Sequence, residues 1–212
     1  MAMHIDRFDP ATTAVIVVDM QNDFIASGAP LETPMGRDLL PTLSRLLDHA
    51  RHAGMKVIYT THAHRSNGCD MGLFAEIYPP IAERAGLIDD TAGIEIYPDL
   101  APRGDEIVIK KHRYSAFFGT DLDIILRSSG IKTVIVTGVT TENCCHATAR
   151  DAMFNGYHVA FISDATGTYD YPDAGFGPIP AKDVHRVTLG VLAVSTAHVM
   201  TTDDVIKKTA TA

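Results

Sequence analysis

Short apolar runs rich in valine and isoleucine return at intervals along this chain, and stretches with helical spacing fill the gaps between them. Ala14–Val18, Lys56–Thr60, Glu106–Ile109, Thr133–Thr137 and His158–Ile162 each read as a strand, with a shorter one at His198–Met200. Such runs are nearly continuous rather than alternating, which is the mark of strands covered on both faces. Between them, Leu39, Leu43, Leu46, Leu47 and Ala50 recur at spacings of three and four. They predict a helix over Arg37–His52 that stops at Gly54. A second helix is expected over Met71–Ala85, within an otherwise irregular stretch from 61 to 104. A third should follow Thr120, read as an N-cap with Asp123 three residues on, and end at Gly130. Further helices are expected over Glu142–Phe154, over Ala181–Val194 and from Thr202 onward, with a loop over Ser163–Pro180. Strands alternating with helices imply a three-layer α/β/α, Rossmann-like fold around a mainly parallel sheet of about six strands.

The chain has 212 residues, suited to a single domain over 1–212, and 46% are hydrophobic, enough for a substantial core. The formal charge of -8 argues against a nucleic-acid or anionic-membrane partner. No apolar run is long enough to span a bilayer, and Met1–Pro10 lacks the apolar segment of a signal peptide. Three cysteines, two of them adjacent, make a poor disulfide framework, so a cytoplasmic protein with free thiols is expected.

Ligands of open parallel sheets bind at the carboxyl ends of the strands. Strand one runs into Asp19, strand three into Lys110 and Lys111, and strand four into Gly138 and onward to Cys144. A carboxylate, an ammonium and a thiol therefore converge on one edge. Cys144 would lie in the first turn of a helix, where the dipole and free N–H groups favour a thiolate and can hold an oxyanion. Asp19 is then the candidate proton acceptor, and Lys111 the charge that holds both. His146 is two residues from Cys144 and would face away on a helix. His62 and His64, with Asp70 nearby, form a loose pattern for a metal. Phe24, His64, Arg65, Tyr114 and Phe118 follow strand ends or lie in loops near them, and are the candidate substrate-binding residues. The Ser163–Pro180 loop is expected to cover them.

Three stretches carry a family resemblance. Val17-Val18-Asp19-Met20-Gln21-Asn22-Asp23-Phe24, then Lys111-His112-Arg113-Tyr114-Ser115-Ala116-Phe117-Phe118, then Val136 through Cys144 with Ala149-Arg150-Asp151-Ala152 beyond, resemble the isochorismatase-like superfamily. The resemblance implies an Asp19–Lys111–Cys144 triad, a cis peptide between Val139 and Thr140, and an oxyanion hole from the N–H groups of Thr140 and Cys144. It also implies a homodimer or homotetramer. Isochorismatases proper lack the cysteine, so Cys144 directs the resemblance to the amidase branch, which includes N-carbamoylsarcosine amidases, ureidoacrylate amidases, biuret hydrolases and nicotinamidases. The expected reaction is hydrolysis of a small-molecule amide or ureido C–N bond through a thioester, releasing ammonia or an amine. Nicotinamidase-type or isochorismatase-type hydrolysis and a non-catalytic small-anion-binding module are the alternatives. Nicotinamidases carry an Asp-x-His metal motif. Here the matching residues are His62 and His64, the aspartate is missing, and no metal or other cofactor is expected.

Overall fold

The computed structural model describes residues 3–209. Six strands, β1 (Thr13–Val18), β2 (Lys56–His62), β3 (Ile107–Lys111), β4 (Thr133–Val139), β5 (His158–Gly167) and β6 (His198–Met200), form one sheet in the order β3-β2-β1-β4-β5-β6. Every pairing is parallel. The long helices are α1 (Leu40–Ala53), α2 (Leu122–Ser128), α3 (His146–Phe154), α4 (Ala181–Ser195) and α5 (Thr202–Lys208). All six residues of β1 are buried because the strand lies inside the sheet, between β2 and β4. One core packs Leu43, Leu46 and Leu47 of α1 against one face of the sheet, and a second packs Leu122 and Leu126 of α2 with Ala149 and Ala152 of α3 against the other. Each of those fully buried leucines contributes roughly 1.5–3 kcal/mol.

Chain order reverses between β1 and β4. Connections leaving these strands diverge there and open a crevice at their carboxyl ends. Gly138 lets the two ends approach. Its φ is +103°, and a Cβ there would lie 2.1 Å from the Val18 carbonyl oxygen, so no side chain fits.

Several element boundaries differ from expectation. Pro41 breaks the expected Arg37–His52 helix into a turn at Pro34–Asp38 and α1. Pro79 and Pro80 likewise reduce the expected Met71–Ala85 helix to two single turns, Phe74–Ile77 and Pro79–Ala82. The expected capping pair at Thr120 and Asp123 does not form. Thr120 accepts from the Leu122 N–H, while Asp123 serves Arg127 and Tyr157. β3 runs on to Lys111, because the edge strand alternates: Lys110 faces outward to Asp89 and Lys111 turns inward. β5 continues to Gly167, so the irregular cover begins only at Thr168. Thr201 and Asp204 form a reciprocal cap at the start of α5. Among the described residues, no helix is long and apolar enough to cross a membrane.

Candidate active site

Three strand ends meet at the crevice. Asp19 is the first residue beyond β1, takes a left-handed conformation, φ +50°, and is fully buried. Aspartate tolerates this geometry better than most residues. Its Oδ1 accepts from the Thr60 hydroxyl at 2.7 Å, which fixes the carboxylate from β2. Lys111 ends β3 and is fully buried. Its Nζ stands 2.6 Å from Asp19 Oδ2, in an ionic contact rather than an aligned hydrogen bond. The same ammonium donates to Cys144 Sγ at 3.4 Å and to the Arg113 carbonyl at 3.0 Å. An ammonium carries three N–H groups, and here it has three neighbours.

Cys144 lies in the Thr141–Cys145 turn after β4, where the Cys145 N–H reaches back five residues to the Thr140 carbonyl at 3.1 Å. That wide turn precedes α3, so the expected helix over Glu142–Phe154 becomes a turn and then a helix. The Val139–Thr140 peptide bond is cis. Cys145 is also buried, but its thiol points at the Thr137 carbonyl, away from Lys111. Cys69 is exposed.

The electrostatics revise one expectation. A helix start favours a thiolate, yet the Cys144 thiol is pushed up from the ordinary thiol range. Burial is the main cause; Lys111 opposes it, and the Asp19 carboxylate adds to it. Cys144 therefore rests as a neutral thiol beside a carboxylate. Burial on its own would lower Lys111, but Asp19 and Cys144 together outweigh burial and raise it, so the ammonium is held charged.

A cavity of about 380 Å³ opens above this floor. Phe24, Tyr114, Thr140 and Cys144 line it, joined by His62, Tyr78, Asn143 and Tyr169, with Leu31, Ile77, Ile81 and Leu87 as apolar wall. Tyr78 and Tyr114 share a hydrogen bond of 2.7 Å. Of the five candidate substrate-binding residues, Phe24 and Tyr114 line this cavity and three do not. Phe118 points outward and is 65% exposed. Arg65 is drawn to Asp70 at 3.0 Å. His64 is buried behind the wall, near Asp70 and His112. The cover is supplied by Tyr169 and Pro172 from the segment after β5.

His62 and His64 do not share a site. His62 joins Asp19 and Cys144, whereas His64 joins Asp70 and His112, with ligand atoms in each group within 4.8 Å. Both ring nitrogens of His64 are buried without a hydrogen-bond partner. Two imidazoles and a carboxylate are a donor set that suits a divalent first-row metal. These three residues would hold such an ion, which would tie β2 and β3 to the following loop behind the cavity wall. His62, Tyr78, Asn143 and Tyr169 escaped sequence reasoning as cavity residues. For His62 the signal was its place as the last residue of β2; Tyr78 sat in an expected helix and Tyr169 in an unpatterned loop.

The isochorismatase domain profile matches residues 13–204. The chain belongs to the isochorismatase family. It is 38% identical over 157 residues, 73% of this chain and 80% of the relative, to a probable inactive nicotinamidase of Arabidopsis thaliana. It is 36% identical to an N-carbamoylsarcosine amidase of an Arthrobacter species over 73% of this chain and 59% of that protein. The crystal structure of a cysteine hydrolase from Pseudomonas syringae pv. phaseolicola 1448A superposes with a TM-score of 0.93 at 37% identity, covering 98% of this chain and 96% of that one. This isochorismatase-family protein thus has a hydrolase fold with a parallel six-stranded sheet.

Proposed function

We propose that the protein hydrolyses the C–N bond of a small amide or ureido compound, with Cys144 as nucleophile, Asp19 as general base and acid, and Lys111 as the fixed charge between them. The observation that carries this reading is the single ammonium of Lys111, 2.6 Å from the carboxylate and 3.4 Å from the thiol at the floor of the cavity. Because the thiol is neutral at rest, its proton leaves as sulfur attacks. Asp19 takes that proton while Sγ bonds to the carbonyl carbon, and the carbonyl oxygen becomes an oxyanion. The N–H groups of Thr140 and Cys144 receive that oxyanion. Asp19 then gives its proton to the leaving nitrogen as the C–N bond breaks, which leaves a thioester and free ammonia or amine. Water adds to the thioester, Asp19 accepts its proton, the C–S bond breaks, and the proton returns to sulfur. Lys111 transfers no proton in this sequence. It keeps Asp19 ionised between steps and offsets the charge that builds on sulfur.

The test is ammonia release from a panel of simple primary amides, nicotinamide and N-carbamoylsarcosine. Cys144→Ala should abolish release, while Cys145→Ala and Cys69→Ala should keep most of it. Turnover surviving in Cys144→Ala would remove the covalent mechanism. Assembly as a homodimer or homotetramer belongs to the same proposal; the exposed Val187, Val191 and Val194 along α4 support it. Sedimentation of a monomer at micromolar concentration would remove that part alone.

A further inference from the structure

The cavity's charge distribution goes further than the reaction type. Its lining among the described residues contains no lysine and no arginine. Lys111 lies beneath the floor, fully buried, with its charge committed to Asp19. The imidazole of His62 is buried beside Asp19 and Cys144, and its Nε2 has no hydrogen-bond partner among the described residues. One carboxylate does reach the wall: Glu32, held by Arg37 and by the Gly28 N–H at 2.9 Å. Glu142 does not line the cavity but lies behind the lining residue Asn143, in the same turn as Cys144. It is bonded to Tyr171 at 2.8 Å and Asn143 at 3.1 Å and has no cation within 4.0 Å among the described residues. The other polar groups facing the cavity are neutral: the hydroxyls of Tyr78, Tyr114, Tyr169 and Thr140 and the Asn143 amide.

An anionic substrate would have to shed water and would find no lysine or arginine on the lining to pair with, and the one carboxylate there is Glu32. A neutral amide loses little on entry. Its polar end has hydrogen-bonding neighbours, and its body meets Phe24, Leu31, Ile81 and Leu87. We propose that the cavity admits uncharged amides with a compact apolar body and turns away carboxylate-bearing ones, carbamoylated and ureido acids included. The inference rests on the amide-hydrolase reading above and narrows it to one substrate class.

Two reagents of nearly equal size separate the classes even while the substrate itself is unidentified. Iodoacetamide and iodoacetate differ by an amide against a carboxylate, and both need the thiolate, so the fraction ionised cancels from their ratio. Alkylation of Cys144 in the intact protein is followed by peptide mass spectrometry at pH 9, with exposed Cys69 as the internal reference. The ratio of iodoacetamide to iodoacetate rates should be at least about tenfold higher at Cys144 than at Cys69. Ile77→Lys, which places a cation at an exposed position of the cavity wall, should narrow that excess. Equal ratios at the two cysteines, or a preference for iodoacetate at Cys144, would overturn the substrate class and leave the nucleophile in place. If burial keeps both reagents from Cys144 while Cys69 is fully labelled, the substrate class is decided by turnover, and equal turnover of the charged and uncharged amides overturns it. Hydrolysis of benzamide against 4-carbamoylbenzoate gives the corresponding comparison in turnover, where the uncharged amide should be favoured by a similar factor.

Discussion

The floor of the cavity and its walls are built by different means. The floor consists of Asp19, Lys111 and Cys144, each at or just beyond the end of a strand in one parallel sheet and each buried. Register of β1 against β2, and of β2 against β3, brings Asp19 and Lys111 together, and the Thr141–Cys145 turn after β4 carries Cys144 to them. The walls come from irregular chain: Leu31 after β1, Tyr78 and Leu87 between β2 and β3, and Tyr169 and Pro172 after β5. Chemistry needs sub-ångström placement, and ladder hydrogen bonds supply it; recognition needs shape and charge, which loops can change without disturbing the sheet. Substitutions on the floor should therefore act on kcat and those on the walls on KM.

The largest effect after loss of the nucleophile should come from Asp19. Asp19→Asn preserves the shape and can still accept from Thr60, but it cannot take the thiol proton. A loss of about 10²-fold or more in kcat is expected, the usual scale for a general base. Lys111→Arg keeps the charge in a larger and flatter head, which the buried site between Asp19 and Cys144 accommodates poorly, so partial activity is expected. Single-turnover kinetics on both variants check this. Near-normal kcat in Asp19→Asn would break the distinction, because a group on the wall, His62 first, would then be moving the proton.

A smaller effect is expected on the walls. Tyr78→Phe removes the 2.7 Å bond to Tyr114 and leaves the ring in place. Loss of one hydrogen bond between neutral groups costs about 0.5–1.5 kcal/mol, so KM should rise by up to about tenfold with kcat nearly unchanged. Arg65→Ala and Phe118→Ala should leave both constants alone, since neither side chain lines the cavity. A kcat effect in Tyr78→Phe that matched Asp19→Asn would erase the boundary between floor and wall.

The same division governs what the amino-acid sequence makes legible. Strand ends can be found from apolar runs, and a functional group that follows a strand by a residue or a short turn is located almost as soon as the strand is. Asp19 and Cys144 belong to this class. Lys111 needed one adjustment, since β3 is an edge strand whose alternation carries two lysines to opposite faces. Walls offer no such rule. Tyr78 sits between two turns that prolines cut from an expected helix, and its neighbour across the cavity, Tyr114, lies beyond another strand. Arg65 and His64 follow β2 closely, yet Asp70 draws both away from the cavity, a contact that no local pattern announces. The raised Cys144 thiol is another such case: its position at a turn was readable, but its burial was not, and burial decides the sign.

The smallest expected effect lies where floor and cover are joined. His185 on α4 bonds the Thr141 hydroxyl at 2.8 Å through Nδ1 and the Ser163 carbonyl at 3.0 Å through Nε2, and so ties the nucleophile's turn to β5. The carbonyl requires a proton on Nε2, which leaves Nδ1 of the neutral ring to accept from Thr141. Burial lowers its pKa from the ordinary histidine value, more than the Ser163 carbonyl and Glu142 raise it. The sign for stability follows. With the folded pKa below the unfolded one, the unfolded chain binds the proton first as pH falls through about 6.5. The contribution is whole above that pH and fades as pH descends towards the folded value, at a slope of at most about 1.4 kcal/mol per unit. His185→Gln keeps a donor and an acceptor but does not titrate, so its stability should depend less steeply on pH between 7 and 5. Urea unfolding of both proteins across that range measures the difference. Parallel curves would show that the imidazole is as easily protonated in the fold as out of it, and that the join between floor and cover does not depend on its neutral form.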